Sequence, residues 1–191
     1  MLICVYDTET TGLLPKNLQL NANNSNKFPY TVQLSWVLYN TVTGKRQETD
    51  FIIKCPIPIP NESTNIHSIT NEIAHNGYDI SEVLDFFLED VKKSDLIIGF
   101  NLQYDLSIIE VELFRLNMCD EIDMLFSKQT YDVMLKCVNI CKFPGRYGRY
   151  KWPKLSHAYV HFFKKDFENQ HDALSDVNAT LDIYKKLNKI L

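Results

Sequence analysis

"VYDTETTGL", residues 5–13, carries a short apolar run into acid. Residues 2–6 have the β-branched and aromatic bias of a buried strand. Asp7 and Glu9 follow it, one residue apart. Side chains alternate faces along a strand, so residues two apart point the same way. Two like charges are thereby held side by side against the core of a sheet. A like-charge pair about 4 Å apart costs roughly 4 kcal/mol at an effective dielectric of 20. Such a pair is tolerable only if it takes up protons or holds a cation.

Outward from that pair, residues 15–30 are polar and rich in Asn, and they read as a mobile surface loop. The strand pattern resumes at once, with Val32, Leu34, Trp36 and Leu38 alternating with Gln33 and Ser35. Thr43-Gly44-Lys45 predicts a turn into a partner strand over residues 48–54. Residues 55–60 carry three prolines and cannot continue a ladder. Ser81 is expected to cap a helix whose inner face is Leu84, Phe87, Leu88 and Val91. Residues 95–100 form a short buried strand, and Leu106, Ile109, Leu113 and Leu116 have helical spacing after it. A third alternation runs from Thr130-Tyr131 into a helix over residues 133–140. The last helix begins near Ala173 behind Asp172 as its cap, with Val177, Leu181, Tyr184 and Leu187 inward. A hairpin followed by strand–helix units predicts one α/β domain over residues 1–191 with a mixed sheet.

At 45% hydrophobic and 12% aromatic residues the chain suits a packed core and not a disordered polymer. No run approaches the ~18 continuous apolar residues of a membrane span, so no membrane association is expected. The first residues lack a secretory pattern, and the five cysteines are odd in number. Both point to reduced thiols in an intracellular protein, cytoplasmic, or nuclear in a eukaryote. Cys137-x3-Cys141 and His157-x3-His161 imitate a zinc finger. The cysteines sit at helical spacing in an apolar segment, however, where a thiol packs as a small hydrophobe. The net charge of −4 gives no global sign of a polyanion partner, but its distribution does. From Lys142 to Lys165 there are seven Lys or Arg residues and no Asp or Glu. Arg146 and Arg149 are interleaved there with Tyr147, Tyr150 and Trp152. Basic side chains follow phosphates and aromatic ones stack on unpaired bases. The same composition also describes a solvated loop around a few buried rings.

Further acids recur where elements meet. Asp105 falls in the first turns of the helix after residues 95–100, and Asp176 lies one turn into the last helix, five residues after His171. If the strand ending at Phe100 lies beside the first, Asp7, Glu9 and Asp105 share one sheet edge, and the last helix can add Asp176. Oxygen ligands alone favour hard cations, Mg²⁺ or Mn²⁺.

The patterns Asp7-x-Glu9, Asn101-x3-Asp105 and His171-x4-Asp176 together resemble the motifs of the DEDD 3′–5′ exonuclease superfamily. The His171 pattern is similar to that of its histidine-bearing, DnaQ-like branch (DEDDh), which holds the epsilon-type proofreading subunits. Residues 65–70 (NIHSIT) and 150–163 are similar to further segments of that superfamily. The resemblance implies a ribonuclease H-like fold, a five-stranded mixed sheet flanked by helices. It implies that Asp7, Glu9, Asp105 and Asp176 hold two divalent cations, Mg²⁺ or Mn²⁺, with Asp7 bridging them. His171 would be the general base, a role that suits a group whose pKa lies near operating pH. The substrate would be a nucleic acid with a free 3′ end, cleaved to nucleoside 5′-monophosphates. Thr8, Thr10 and Leu13 would touch its terminal nucleotide, with Asn101 shaping the loop beneath and Arg146 and Arg149 farther along the strand. Phe100 stands where many relatives have His, and the loop 15–30 is longer than in compact members, so it is expected to border the substrate. DNA is the expected substrate, and short or single-stranded RNA is the alternative. Another alternative is a polymerase-associated nucleic-acid-binding module whose catalysis is incidental, and any proofreading role would need a separate polymerase. The oligomeric state is left open.

Overall fold

The opening run becomes β1 (Leu2–Thr10), the central strand of a five-stranded sheet in this computed structural model, which describes residues 1–190. β1 continues past residue 6, through both acids, because β2 (Thr31–Asn40) pairs antiparallel with it from Leu2 opposite Asn40 to Glu9 opposite Gln33. A register shift between Glu9 and Thr10 then sets Thr10 opposite Thr31. β3 (Arg46–Ile52) adds antiparallel outside β2. On the other flank β4 (Leu96–Gly99) runs parallel to β1, and β5 (Thr130–Asp132) parallel to β4. The order β3-β2-β1-β4-β5 is the mixed sheet expected, with helices on both faces.

Strand alternation divides the helices. Cys4, Tyr6, Leu34 and Trp36 pack against α3 (Ile80–Lys93), α4 (Leu102–Arg115) and α5 (Cys119–Ser127). Ile3, Val5, Val37 and Tyr39 pack against α6 (Val133–Cys141), α7 (Leu155–Phe163) and α8 (Ala173–Asn188). Two short helices, α1 (Asn61–His67) and α2 (Asn71–His75), follow the proline segment. The first face is anchored by rings: Phe87 lies 5.0 Å from Tyr6 and 5.4 Å from Trp36, centroid to centroid. Such pairs add ~0.5–1.5 kcal/mol each beyond burial. The indole N–H of Trp36 donates to buried Asp90 at 2.9 Å, tying α3 to β2.

The helix cap expected at Ser81 belongs to Asp79. Its backbone is extended, and its carboxylate accepts the Ser81 N–H at 2.9 Å and hydroxyl at 2.7 Å. Ile80 is thus already helical, one residue earlier than the sequence pattern suggests. The turn from β4 into α4 is closer to expectation. Asn101 sits in the left-handed region (φ 67°), which a short polar side chain tolerates, and its amide donates to Asp132 at 3.3 Å. Its side chain makes no cap bond, so it fixes the loop by backbone shape. A Cβ on Gly99 would lie 2.9 Å from Leu102 Cδ1, so the glycine lets the helix start pack tightly on the strand end.

Candidate active site

The alternation that sorts the core also sorts the site. Asp7 and Glu9 follow Ile3 and Val5 onto the face covered by α8, whereas Thr8 and Thr10 follow Cys4 and Tyr6 onto the face of α4. Thr8 donates to one oxygen of Asp105 twice, from its hydroxyl at 2.7 Å and its amide at 3.1 Å. Asp105, only 3% exposed, is thereby aimed from the first turn of α4. The Thr10 and Tyr104 hydroxyls lie 2.9 Å apart, and both donate to the Gly12 carbonyl at 2.8 Å.

The third pattern is set by α8. Asp172 caps it, accepting the Ser175 amide at 3.0 Å and hydroxyl at 2.9 Å. Gln33 of β2 then fastens this helix start to the sheet. Its side-chain nitrogen donates to Asp172 at 3.1 Å and to Asp50 at 2.9 Å, and its oxygen accepts the Ala173 amide at 3.2 Å. His171 precedes the cap in a left-handed conformation (φ 67°). One ligand atom each from Glu9, His171 and Asp176 lies within 4.8 Å of the others. Among the described residues no other group of three His, Cys, Asp or Glu side chains is so gathered.

Asp7, Glu9, Asp105, His171 and Asp176 all line one cavity of about 910 Å³, together with Thr8, Thr10, Leu13 and Asn101. The hydroxyls of Thr8 and Thr10 are occupied by protein partners, so what they offer the cavity is backbone and methyl surface. Leu13 stands 86% exposed at the rim. Arg146 and Arg149 are not part of the wall. They flank a tight turn of the hairpin closed by the Pro144–Tyr150 bridge, while Pro153, Lys154 and His157 just beyond it do line the cavity. None of residues 14–30 lines it, so the Asn-rich loop does not border this space.

Burial dominates the electrostatics. Desolvation pushes Asp7 well above the ordinary carboxylate range, with the charges of Asp105, Asp176 and Glu9 adding to it. Glu9 rises to about 8, first by burial and then by Asp176 and Asp105. Asp105 rises to about 7 by burial, held back by its Thr8 hydrogen bonds. Asp176 also rises to about 7 by burial, held back by the His171 amide and raised by Asp172. Four acids that resist ionisation together are a site that a dication relieves. One oxygen of Asp176 points the same way, being buried with no hydrogen-bond partner. Hard oxygen donors of this kind fit Mg²⁺ or Mn²⁺. Of the zinc-like residues, the two cysteines are packing, whereas His157 is exposed on the cavity wall. Cys137 and Cys141 are buried in α6, and Phe143 stacks its edge against His157 and His161.

Sequence reasoning missed Tyr104 and the contribution of α1. Tyr104 sits inside the second pattern, beside Asp105, but its hydroxyl finds its partner 92 residues away. His67 lines the cavity at 7% exposure, its Nδ1 accepting the Ile69 amide at 3.0 Å and its Nε2 unpartnered. Burial lowers its pKa. The only signal for it was the likeness of residues 65–70 to a superfamily segment.

The exonuclease family model RNase_T matches residues 4–184. The uncharacterized exonuclease CP81 of Escherichia phage 186 is 31% identical over 144 residues, covering 72% of this chain and 71% of its own. In fold, the chain is similar to Exonuclease I of E. coli in complex with a dT13 oligonucleotide, with a TM-score of 0.75, 16% identity and 99% of this chain covered. It is also similar to the moderately thermophilic Exonuclease I of Methylocaldum szegediense, with a TM-score of 0.73, 18% identity and 98% covered. The chain spans 41% and 40% of the length of those two enzymes. Members of the exonuclease family generally work with divalent metals, which the acidic cavity fits. With its three patterns gathered on one cavity, the chain belongs to the exonuclease family, in the histidine-bearing DEDD branch of 3′–5′ exonucleases.

Proposed function

We propose that this chain removes nucleotides one at a time from the 3′ end of single-stranded or frayed DNA, using two divalent cations, Mg²⁺ or Mn²⁺. The observation that carries this is the convergence of Asp7, Glu9, Asp105, Asp176 and His171 on one cavity where burial sets the carboxylates against ionisation. Asp7, Glu9, Asp105 and Asp176 would hold the ions. When bound, such a pair lowers the pKa of a water and stabilises charge on the phosphate and leaving oxygens.

The protein's own groups do the rest. His171 accepts the proton of the attacking water on a ring nitrogen. A bond forms from that water oxygen to the terminal phosphorus, and the bond to the 3′ oxygen of the preceding nucleotide breaks. The leaving oxygen takes up a proton, and a nucleoside 5′-monophosphate departs. Thr8 keeps Asp105 turned to its task. Leu13 at the rim, with the backbone at Thr8, Thr10 and Asn101, receives the terminal nucleotide. Arg146 and Arg149, exposed on the neighbouring hairpin, follow the phosphates farther up the strand. DNA is the preferred reading because E. coli Exonuclease I, which this chain resembles in fold, is found in complex with oligodeoxynucleotides.

The test is release of labelled mononucleotides from 3′-labelled single-stranded DNA and RNA of the same sequence, titrated with Mg²⁺. DNA should be shortened from the 3′ end and faster than RNA, and Asp7→Ala should abolish release while leaving a cooperative melt. Retained activity in Asp7→Ala overturns the assignment, and faster release from RNA overturns the substrate.

A further inference from the structure

We infer that Arg115 and Glu112, at the far end of α4, are positioning residues for the rim that receives the terminal nucleotide. The inference rests on the proposed function for its kinetic readout and on geometry alone for its cause. Arg115 is 13% exposed at its side chain and Glu112 4%, and they pair at 3.0 Å. The guanidinium donates from one nitrogen to the Pro29 carbonyl at 3.1 Å, and from the other to those of Ser25 and Phe28, both at 2.8 Å. It also lies over the Tyr30 ring, 3.7 Å from the centroid. The second oxygen of Glu112 accepts the Thr31 amide at 2.8 Å. One ion pair therefore grips the end of the Asn-rich segment and the first residue of β2.

That grip reaches the cavity in one step. Thr11 donates its amide to the Tyr30 carbonyl at 2.9 Å, and the Tyr30 amide donates to the Thr11 hydroxyl at 3.0 Å. The next residues, Gly12 and Leu13, line the cavity, and Gly12 is held from the other side by Thr10 and Tyr104. Tyr104, Asp105, Glu112 and Arg115 all belong to α4, so a single rigid helix spaces the acid, the rim and the clamp. The long loop acts here as the outer brace of the rim. Only arginine serves: its planar fork reaches several carbonyls and stacks on a ring at once, which a lysine ammonium does not.

The experiment uses Arg115→Lys, which keeps the charge beside Glu112, and Arg115→Met, which removes it. Amide hydrogen exchange and steady-state kinetics on a single-stranded oligonucleotide are read on both. In Arg115→Lys, exchange is expected to quicken at residues 11–13 as well as 25–31, with KM raised about tenfold and kcat within about twofold. Arg115→Met should go further in the same direction. If it does not fold, Arg115→Lys decides alone. Faster exchange confined to 25–31 with KM unchanged overturns the inference, as does a fall in kcat with KM unchanged. If the wild-type chain releases no nucleotides, the proposed function has failed, and the exchange at residues 11–13 still decides this one.

Discussion

At the residue scale, the chemistry lies in how little the four acids want their charge. Each carries a pKa raised mainly by burial, to about 7 for Asp105 and Asp176 and about 8 for Glu9. The folded chain thus binds more protons than the unfolded one between the ordinary carboxylate range and about pH 8. Stability of the metal-free protein must then fall as pH rises through that window. Bound dications replace the protons, so Mg²⁺ should raise the Tm more at about pH 8 than at about pH 5. Thermal melts with chelator and with millimolar Mg²⁺ check this, and an equal shift at both values contradicts it. Asp7 and Glu9 were legible because two-residue spacing on a strand already brings them together, and Asp105 and Asp176 because their patterns resemble those of the exonuclease superfamily. Tyr104 and His67 were not, because an ordinary tyrosine and histidine become part of a wall only when distant backbone meets them.

At the scale of elements, the placement of α8 matters most, since it brings both His171 and Asp176. Gln33 is its tether to the sheet, through Asp172 and the Ala173 amide. Gln33→Leu leaves those groups unpaired, a loss of about 1–3 kcal/mol, which lowers the Tm by ~2–12 °C in a domain of this size. It should also lower kcat by at least about tenfold, because a small displacement of a catalytic group is costly in rate. Melting and single-turnover kinetics on the variant test both; a lower Tm with unchanged kcat would mean that α8 is placed by its apolar face alone. Most elements were readable from periodicity, among them α3, α4, α6 and α8. β1 outran its apolar run because ladder pairing with β2, not residue preference, decides where a strand ends. α1 escaped because it starts at Pro60 with no side-chain cap to announce it. The Asn-rich loop reads as mobile by composition, and its tie to Arg115 depends on a residue some 86 to 90 positions away.

At the scale of the whole molecule, charge is segregated. The net charge is −4, yet residues 142–165 carry only positive charge, on a hairpin and helix that adjoin the cavity. Tyr147 is 98% exposed and Trp152 65%, which leaves their rings free for bases and not for a core. Arg146→Ala with Arg149→Ala should raise KM on single strands and reduce the slope of log K against log salt by about 1.4, at ~0.7 per phosphate contact. A slope unchanged from wild type would reduce the hairpin to a solvated loop. The sheet class followed from the alternation of elements, but the order of strands did not, because the parallel pairing of β1 with β4 is a contact between remote segments that local pattern cannot encode.

Thr8 and Asp105 stand 97 residues apart in the chain yet are joined by two hydrogen bonds. The site is drawn from three remote stretches, and none of them carries a usable set of ligands by itself. On the proposed function, a polypeptide caught midway to its native state would be harmless to the nucleic acids around it, and the hazard of a free nuclease would arise only with the finished architecture.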